Sequence, residues 1–293
     1  MSPDHGQRFM FDGHPVRGQF ACLDETLAQV FARHQYPARV AEQLGQALVA
    51  ASLLADTLKL DGSLVLQAKG TGPLRLLMVE CDAQGRLRGI AKHNDDAALT
   101  QGSGLQSLYG QGHLSISLLP NSGERYQGIV PLEGANLSEV LDGYFAQSEQ
   151  LPTRLWLTAD GKRAAGMLLQ QLPVNAGEQV DAGYWEHLTA LAHTLKPIEL
   201  KELPAEMILH RLYHEETIQL FDGHDIEFHC PCSRERSARA LISLGIEDLT
   251  ALMQEQPTVS VDCEFCGEKH QYDQTDLTWL TADNSAPGSD QLQ

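Results

Sequence analysis

The chain is short of positive charge. Its 293 residues hold 21 Lys and Arg against 39 Asp and Glu, a formal net charge of −18. So acidic a chain is a poor partner for nucleic acid or for an anionic membrane surface. No apolar run approaches the roughly 18 residues that a membrane span needs. The first twenty residues, MSPDHGQRFMFDGHPVRGQF, have no continuous apolar stretch of the kind a signal peptide carries. The nucleotide loop GxxxxGK(S/T), the GxSxG elbow and the HExxH metal motif are all missing. These absences argue for a cytoplasmic, reducing setting, for no nucleic-acid or membrane partner, and against an enzyme with a catalytic or cofactor-binding residue. GTGP at residues 70–73 reads as a turn, and His93, Asp95 and Asp96 in AKHNDD read as a polar loop rather than an acid/base cluster. With 42% hydrophobic residues the chain can bury a sizeable core, and its length suits two domains or one domain with an appendage.

Cysteine is scarce too, but its placement is uneven. Cys22 and Cys81 stand alone among apolar residues and read as buried thiols. Cys230, Cys232, Cys263 and Cys266 crowd into the last quarter as C-x-C, thirty residues, then C-x-x-C. In a reducing compartment such a cluster signals metal or redox chemistry rather than a disulfide framework. Two close pairs separated by a structured insert match a tetrahedral zinc site of four thiolates. Four thiolates leave no coordination position for water, so the site is structural or redox-responsive and not hydrolytic. A thioredoxin-like reading of the C-x-x-C lacks the βαβ context it requires. His229 and His270 flank the pairs as alternative ligands, although second-shell or surface roles suit them better. Arg234, Arg236 and Lys269 place positive charge nearby, which either favours thiolates or simply solvates a helix. The C-x-C pair stands out because it can close a small, strained disulfide ring of the labile class.

Along the rest of the chain the pattern is α+β. Val40, Leu44, Leu48, Ala51, Leu54 and Leu58 predict a long helix over 37–59, started by Pro37. GSLVLQAKG, GPLRLLMVECD, GRLRGIAKHN, HLSISLLP and GERYQGIVPL predict strands of an antiparallel sheet. A helix follows from Asn136, with Glu139 completing a capping box, and then a hairpin turning at Asp160-Gly161. The first 177 residues form one mixed domain on this reading. Residues 178–227 hold two short amphipathic helices, YWEHLTALAHTLK and LPAEMILHRLYHEE. They are either ordinary domain helices or a linker that folds only while docked, since short helices are marginal alone. A hairpin at Asp222-Gly223 delivers Cys230, a helix capped by Ser233 and a second one over IEDLTALMQEQ follow, and residues 228–275 form the small cysteine module. The end of the chain, 283–293, reads as a disordered tail.

A module under about fifty residues has a thin core and depends on a staple. Structural zinc contributes roughly 10–16 kcal/mol of apparent binding free energy, against about 5–15 kcal/mol for the net stability of a whole domain. Oxidising the thiols would therefore unfold the module and expose apolar surface that binds other apolar surface.

FHCPCSRER followed by VDCEFCGEKHQYD resembles the carboxy-terminal redox switch of the heat shock protein 33 family, the 33 kDa chaperonins. GRLRGIA, ERYQGIVPL, AQSEQLPTRLWL and LKELPAEMILHRLYHEE are similar to the family's other characteristic stretches, in the same order. The resemblance covers nearly the whole chain, and the four cysteines show no departure. It implies an ATP-independent holdase, resting while reduced with one zinc per chain on Cys230, Cys232, Cys263 and Cys266. It implies Cys230–Cys232 and Cys263–Cys266 disulfides on oxidation, zinc release, unfolding of the 178–227 linker and dimerisation. The partners it implies are unfolded or partly unfolded clients, passed on to ATP-dependent foldase chaperones. The competing readings are a zinc-stabilised adaptor without redox switching and an enzyme in the first domain.

Overall fold

The computed structural model describes residues 4–57, 61–94, 104–173, 182–243, 248, 251, 258–273 and 275–276. Asp95 and Asp96, the helix expected over 246–256 apart from residues 248 and 251, and the tail at 283–293 lie outside the described residues. The chain divides into two units, 1–229 and 230–293.

The first unit starts with a hairpin that the sequence reading did not assign. Strands β1 (His5–Phe11) and β2 (Val16–Leu23) turn at Asp12-Gly13, with Gly13 at φ 73°. Helices α1 (Glu25–Phe31) and α2 (Ala38–Thr57) follow. Next come β3 (Gly62–Gly70), β4 (Leu74–Asp82), β5 (Arg86–His93), α3 (Gly104–Tyr109), β6 (Gly112–Pro120) and β7 (Tyr126–Pro131). Then α4 (Leu137–Tyr144) runs into a π-helical turn, Phe145–Glu149, ahead of β8 (Thr153–Ala159) and β9 (Ala164–Gln171). Three short helices, α5 (Ala182–Ala192), α6 (Pro197–Glu202) and α7 (Ala205–Tyr213), precede the small strands β10 (Ile218–Leu220), β11 (His224–Asp225) and β12 (Glu227–Phe228). The two helices expected in this segment are thus three: the first stops at Ala192, short of the expected end at Pro197, and Pro197 opens another, because a proline at the first helical position sacrifices no intrahelical hydrogen bond.

The strands form two six-stranded sheets where one was expected. The first runs β10-β1-β2-β9-β8 with β11 also on β1, and the second β12-β5-β4-β3-β6-β7. Helix α2 packs against strands of both. It is buried almost all round rather than along one stripe, which is what apolar alanines on its other faces allow. Glycine makes room for it: a Cβ on Gly166 would sit 2.5 Å from Val49, and one on Gly89 3.1 Å from Leu44 and Leu48. Cys81 is buried in this core.

The first sheet is buried on both faces, so β9 reads as a continuous apolar run, AAGMLLQQ. Ala164 and Leu168 face the α2 core. Phe9, Phe11, Phe20, Met167 and Leu169 join a second core with Leu188, Leu195, Ile208, Leu209 and Leu212 from the 182–213 helices. The outward face is thus covered by three helices of only 11, 6 and 9 residues. Leu188, Leu195, Ile208, Leu209 and Leu212, all named by the helical periodicity, lie in it.

The hairpin expected at Asp222-Gly223 is absent. Both of its arms pair with β1 instead, Leu220 opposite Phe9 and Asp225 opposite His5, while β12 pairs in parallel with β5. An open strand edge offers more hydrogen bonds to this segment than its own two short arms could exchange. The hairpin at 160–161 and the cap at Asn136 do form. Asn136 Oδ1 accepts the Glu139 N–H at 3.0 Å, although Glu139 reaches back to the Ala135 N–H rather than to that of Asn136.

Asp142 of α4 blunts the free edge of β8, accepting the Leu155 N–H at 2.9 Å and pairing with Arg154 at 3.2 Å. Burial nonetheless pushes its carboxyl up from 3.8 to about 6, against the opposing pull of Arg154 and the Leu155 N–H. Between those values the folded chain holds a proton that the unfolded chain has released. This group's contribution to stability therefore falls as pH rises through that window. Asp142→Asn keeps the acceptor and removes the titration. Relative to the parent, it is expected to gain roughly 3 kcal/mol between about pH 4 and pH 7. Urea midpoints of both proteins at the two ends of this range check it, and parallel pH profiles would refute it.

Candidate metal centre

The second unit folds around little. Helix α8 (Arg234–Ile242) is capped by Ser233, whose Oγ accepts the Arg236 N–H at 3.2 Å. Strands β13 (Thr258–Asp262) and β14 (Lys269–Asp273) pair antiparallel, Asp262 opposite Lys269. Among the described residues the core is Ala238, Leu241, Val259 and Tyr272, with Val261 against it. Tyr272 is fixed by donating to the Arg234 carbonyl at 2.5 Å while the Arg234 guanidinium lies over its ring.

The cysteines sit on the two loops of this frame. Cys230 and Cys232 precede α8. Cys263 and Cys266 form a knuckle after β13, closed by Gly267 N–H to Cys263 O and Cys263 N–H to Glu268 O, both at 2.8 Å. Gly267 takes φ 71°, the left-handed conformation this tight turn needs. All four Sγ atoms lie within 4.8 Å of one another. Cys230 and Cys263 approach to 3.7 Å and Cys232 and Cys266 to 3.2 Å. Thiolates at 2.3 Å from a tetrahedral zinc stand about 3.8 Å apart. The first contact matches this edge, and the second needs only a modest opening.

The thiols are electrostatically unequal. Cys263 is held below the ordinary thiol value: burial works to raise it, but the Cys266 and Phe265 N–H groups and the neighbouring thiols together outweigh that. Cys232 is pushed well up, first by burial and then by the thiols of Cys266 and Cys230, and burial also raises Cys266. A cluster that favours the Cys263 thiolate and resists those of Cys232 and Cys266 is what a divalent cation would stabilise, since clustered negative charge needs a counter-ion. The residues present fit zinc, which would bind them as thiolates and close the site to water.

The flanking residues are placed differently. His229 is exposed and its backbone N–H donates to Leu87 O at 2.9 Å. His270 lies on β14 outside the cluster. The three cations do not set the thiol chemistry. Arg234 pairs with Asp276 at 2.5 Å, Arg236 donates to the Pro231 carbonyl at 3.0 Å, and Lys269 stands 3.6 Å from Asp262. The lowering of Cys263 comes from backbone amides and the neighbouring thiols. Cys22, alone in the first unit, is half-buried with its thiol pushed up to about 11 by burial. GTGP at 70–73 forms a turn, where a Cβ on Gly70 or Gly72 would strike the Tyr109 or Leu108 carbonyl. The apolar sheet face of Phe9, Phe11 and Phe20 was missed by sequence reasoning. The alternation of Phe9 and Phe11 before Asp12-Gly13 is the signal that marks it.

A two-sheet α+β unit followed by a small four-thiol module defines the class. A family model described as Hsp33 protein matches residues 4–273. The chain is 49% identical over 288 residues to a 33 kDa chaperonin of Pseudomonas paraeruginosa, covering 97% of each chain. It is 51% identical over 283 residues to a 33 kDa chaperonin of Pseudomonas syringae pv. syringae, covering 95% of this chain and 94% of that one. The crystal structure of a 33 kDa chaperonin (heat shock protein 33 homolog) from Thermotoga maritima shares the fold, with a TM-score of 0.79 over 96% of this chain and 98% of that one at 23% identity. The chain belongs to the Hsp33 protein family. Among the described residues no helix is long and apolar enough to cross a membrane.

Proposed function

We propose that this chain is a redox-regulated, ATP-independent molecular chaperone, a cytoplasmic holdase for unfolding proteins under oxidative stress. Relatives that match it almost end to end are named 33 kDa chaperonins. The observation that carries the redox part is the convergence of four thiols in a unit whose apolar core, among the described residues, is four side chains. So small a core leaves thiol–metal bonding as the main source of stability.

In the resting state Cys230, Cys232, Cys263 and Cys266 hold one zinc as thiolates. Oxidation by peroxide joins Cys230 to Cys232 and Cys263 to Cys266. Each thiolate pair yields two electrons, and each peroxide takes them up with two protons from solvent to leave as two waters. Every sulfur then carries a partner sulfur in place of metal, and zinc is released. The 228–275 module unfolds, and the helices of the 178–227 linker follow. Their departure uncovers Phe9, Phe11, Phe20, Met167 and Leu169, an apolar surface suited to clients. Dimerisation of the opened chain and hand-over of clients to ATP-dependent foldases complete the cycle.

The test follows zinc release with a chromogenic chelator while peroxide is added at mild heat, and reads light scattering of a chemically denatured client in parallel. About one zinc per chain should leave as aggregation is suppressed, and thiol reductant should reverse both. Zinc that stays bound, or leaves with no gain of client binding, would support the zinc-stabilised adaptor instead.

A further inference from the structure

A second site lies in the first unit, away from the thiols. At the C-terminal end of α2 the first sheet forms a cleft of about 210 Å³. Met10, Leu168, Leu172 and Phe221 supply its apolar lining, and Arg8 and Arg17 are its two cations. We propose that this cleft binds a small organic anion with a ring-sized apolar body, an aryl phosphate, sulfonate or carboxylate, with Arg8 and Arg17 taking the anionic head.

Arg17 is held ready. Its Nε donates to Gln170 Oε1 at 3.1 Å, and its Nη2 to the same oxygen at 2.6 Å and to the Thr57 carbonyl at 3.0 Å. These bonds fix the guanidinium plane while leaving Nη1 for a ligand, and a preorganised donor loses little entropy on binding. Burial and the charge of Arg8 both lower the Arg17 pKa. Two like charges thus meet in a partly desolvated cleft, an arrangement that an anion relieves.

One acid, Asp56, also lines the cleft and is drawn by the charge of Arg8, and the two guanidiniums outnumber it. Asp56 accepts from Gln19 Nε2 and stands 3.2 Å from His224 Nε2. A cationic cleft on a chain of net charge −18 is a local reversal, and charge complementarity selects an anion there. The apolar wall is firm as well. Phe221 donates its N–H to Arg8 O at 2.9 Å, and its carbonyl accepts from Gln7 Nε2 at 3.1 Å. A dry apolar cavity of about 150 Å³ is enough for benzene, so the body fits in size.

Phenyl phosphate is the probe, titrated into the ¹⁵N-labelled full-length reduced chain. Saturable shifts are expected at the amides of Arg8, Gly18, Gln19 and Phe221, with a Kd of about 1 mM or tighter. Phenol, which has the body without the charge, and inorganic phosphate, which has the charge without the body, should each bind at least about fivefold more weakly. Arg8→Gln, at an exposed position whose loss leaves the fold intact, should weaken phenyl phosphate by a similar factor. The proposal is overturned if no saturable shift appears at these amides, if phenol binds as well, or if Arg8→Gln binds as tightly as the parent.

Discussion

Cys263→Ser is expected to unfold the cysteine module outright while the two large sheets of the first unit stay folded. Cys263 is the sulfur best prepared to be a thiolate, since it receives two backbone amides. Serine keeps the volume but loses the soft ligand that zinc prefers. The apparent binding free energy at stake is roughly 10–16 kcal/mol, and a core of Ala238, Leu241, Val259 and Tyr272 cannot replace it. Burying four such side chains supplies at most about 1.5–3 kcal/mol each, which is offset by ordering the backbone around them. Hydrogen exchange is the direct reading. Amides of β13 and β14 should lose their protection, while those of β3, β4 and β9 keep theirs. A Cys263→Ser chain whose β13–β14 amides remain protected would show that the module stands on its own packing. The metal would then be incidental to its fold.

Ile208→Glu should switch the chain on without any oxidant. Ile208 is 1% exposed and sits in the core shared by α7 and the Phe9, Phe11 and Phe20 face. An unpaired carboxylate buried there costs several kcal/mol. The three covering helices are too short to hold together off the sheet. They should undock, leaving the thiols and their metal in place. Client aggregation would then be suppressed in the presence of reductant, where the parent chain is silent. Cys22 gives an independent report, since it lines a cavity with Leu200, Leu203 and Ile208 beneath α6 and α7. Its labelling by a thiol reagent should accelerate at least about tenfold as its burial is lifted. A variant whose Cys22 labels fast but which leaves clients to aggregate would show that the uncovered face is not the client surface. The milder Ile208→Ala removes packing only, and should give a partial form of both effects.

The parts of this protein that could be read from the chain are those that depend on near neighbours. Asn136 and Ser233 announce helix starts because a cap bonds to amides two or three residues on. Asp160-Gly161 announces a turn for a similarly local reason. The α2 pattern was legible as a helix, yet its burial on every side was not, because that depends on two sheets closing over it. The clustering of the four cysteines was legible because a metal site would impose spacing on each close pair.

What the chain hides is long-range. Val16 pairs with Gln171, more than 150 positions away, and nothing local marks that register. The arms at Asp222-Gly223 look like a hairpin in isolation, and the free edge of β1 outcompetes their mutual pairing. Arg8 and Arg17 become one cationic cleft only because β1 and β2 carry them to the end of α2, beside Phe221 from the far end of the domain. By itself, then, the sequence determined the thiol chemistry, the helix caps and turns, and membership of an α+β class, since these follow from bonding within a few residues. Tertiary structure alone decided how the strands divide into two sheets, which apolar face three short helices cover, and where charges far apart in sequence converge. Those features arise from competition among distant surfaces for burial and hydrogen bonds, and that competition is settled only when the whole chain folds.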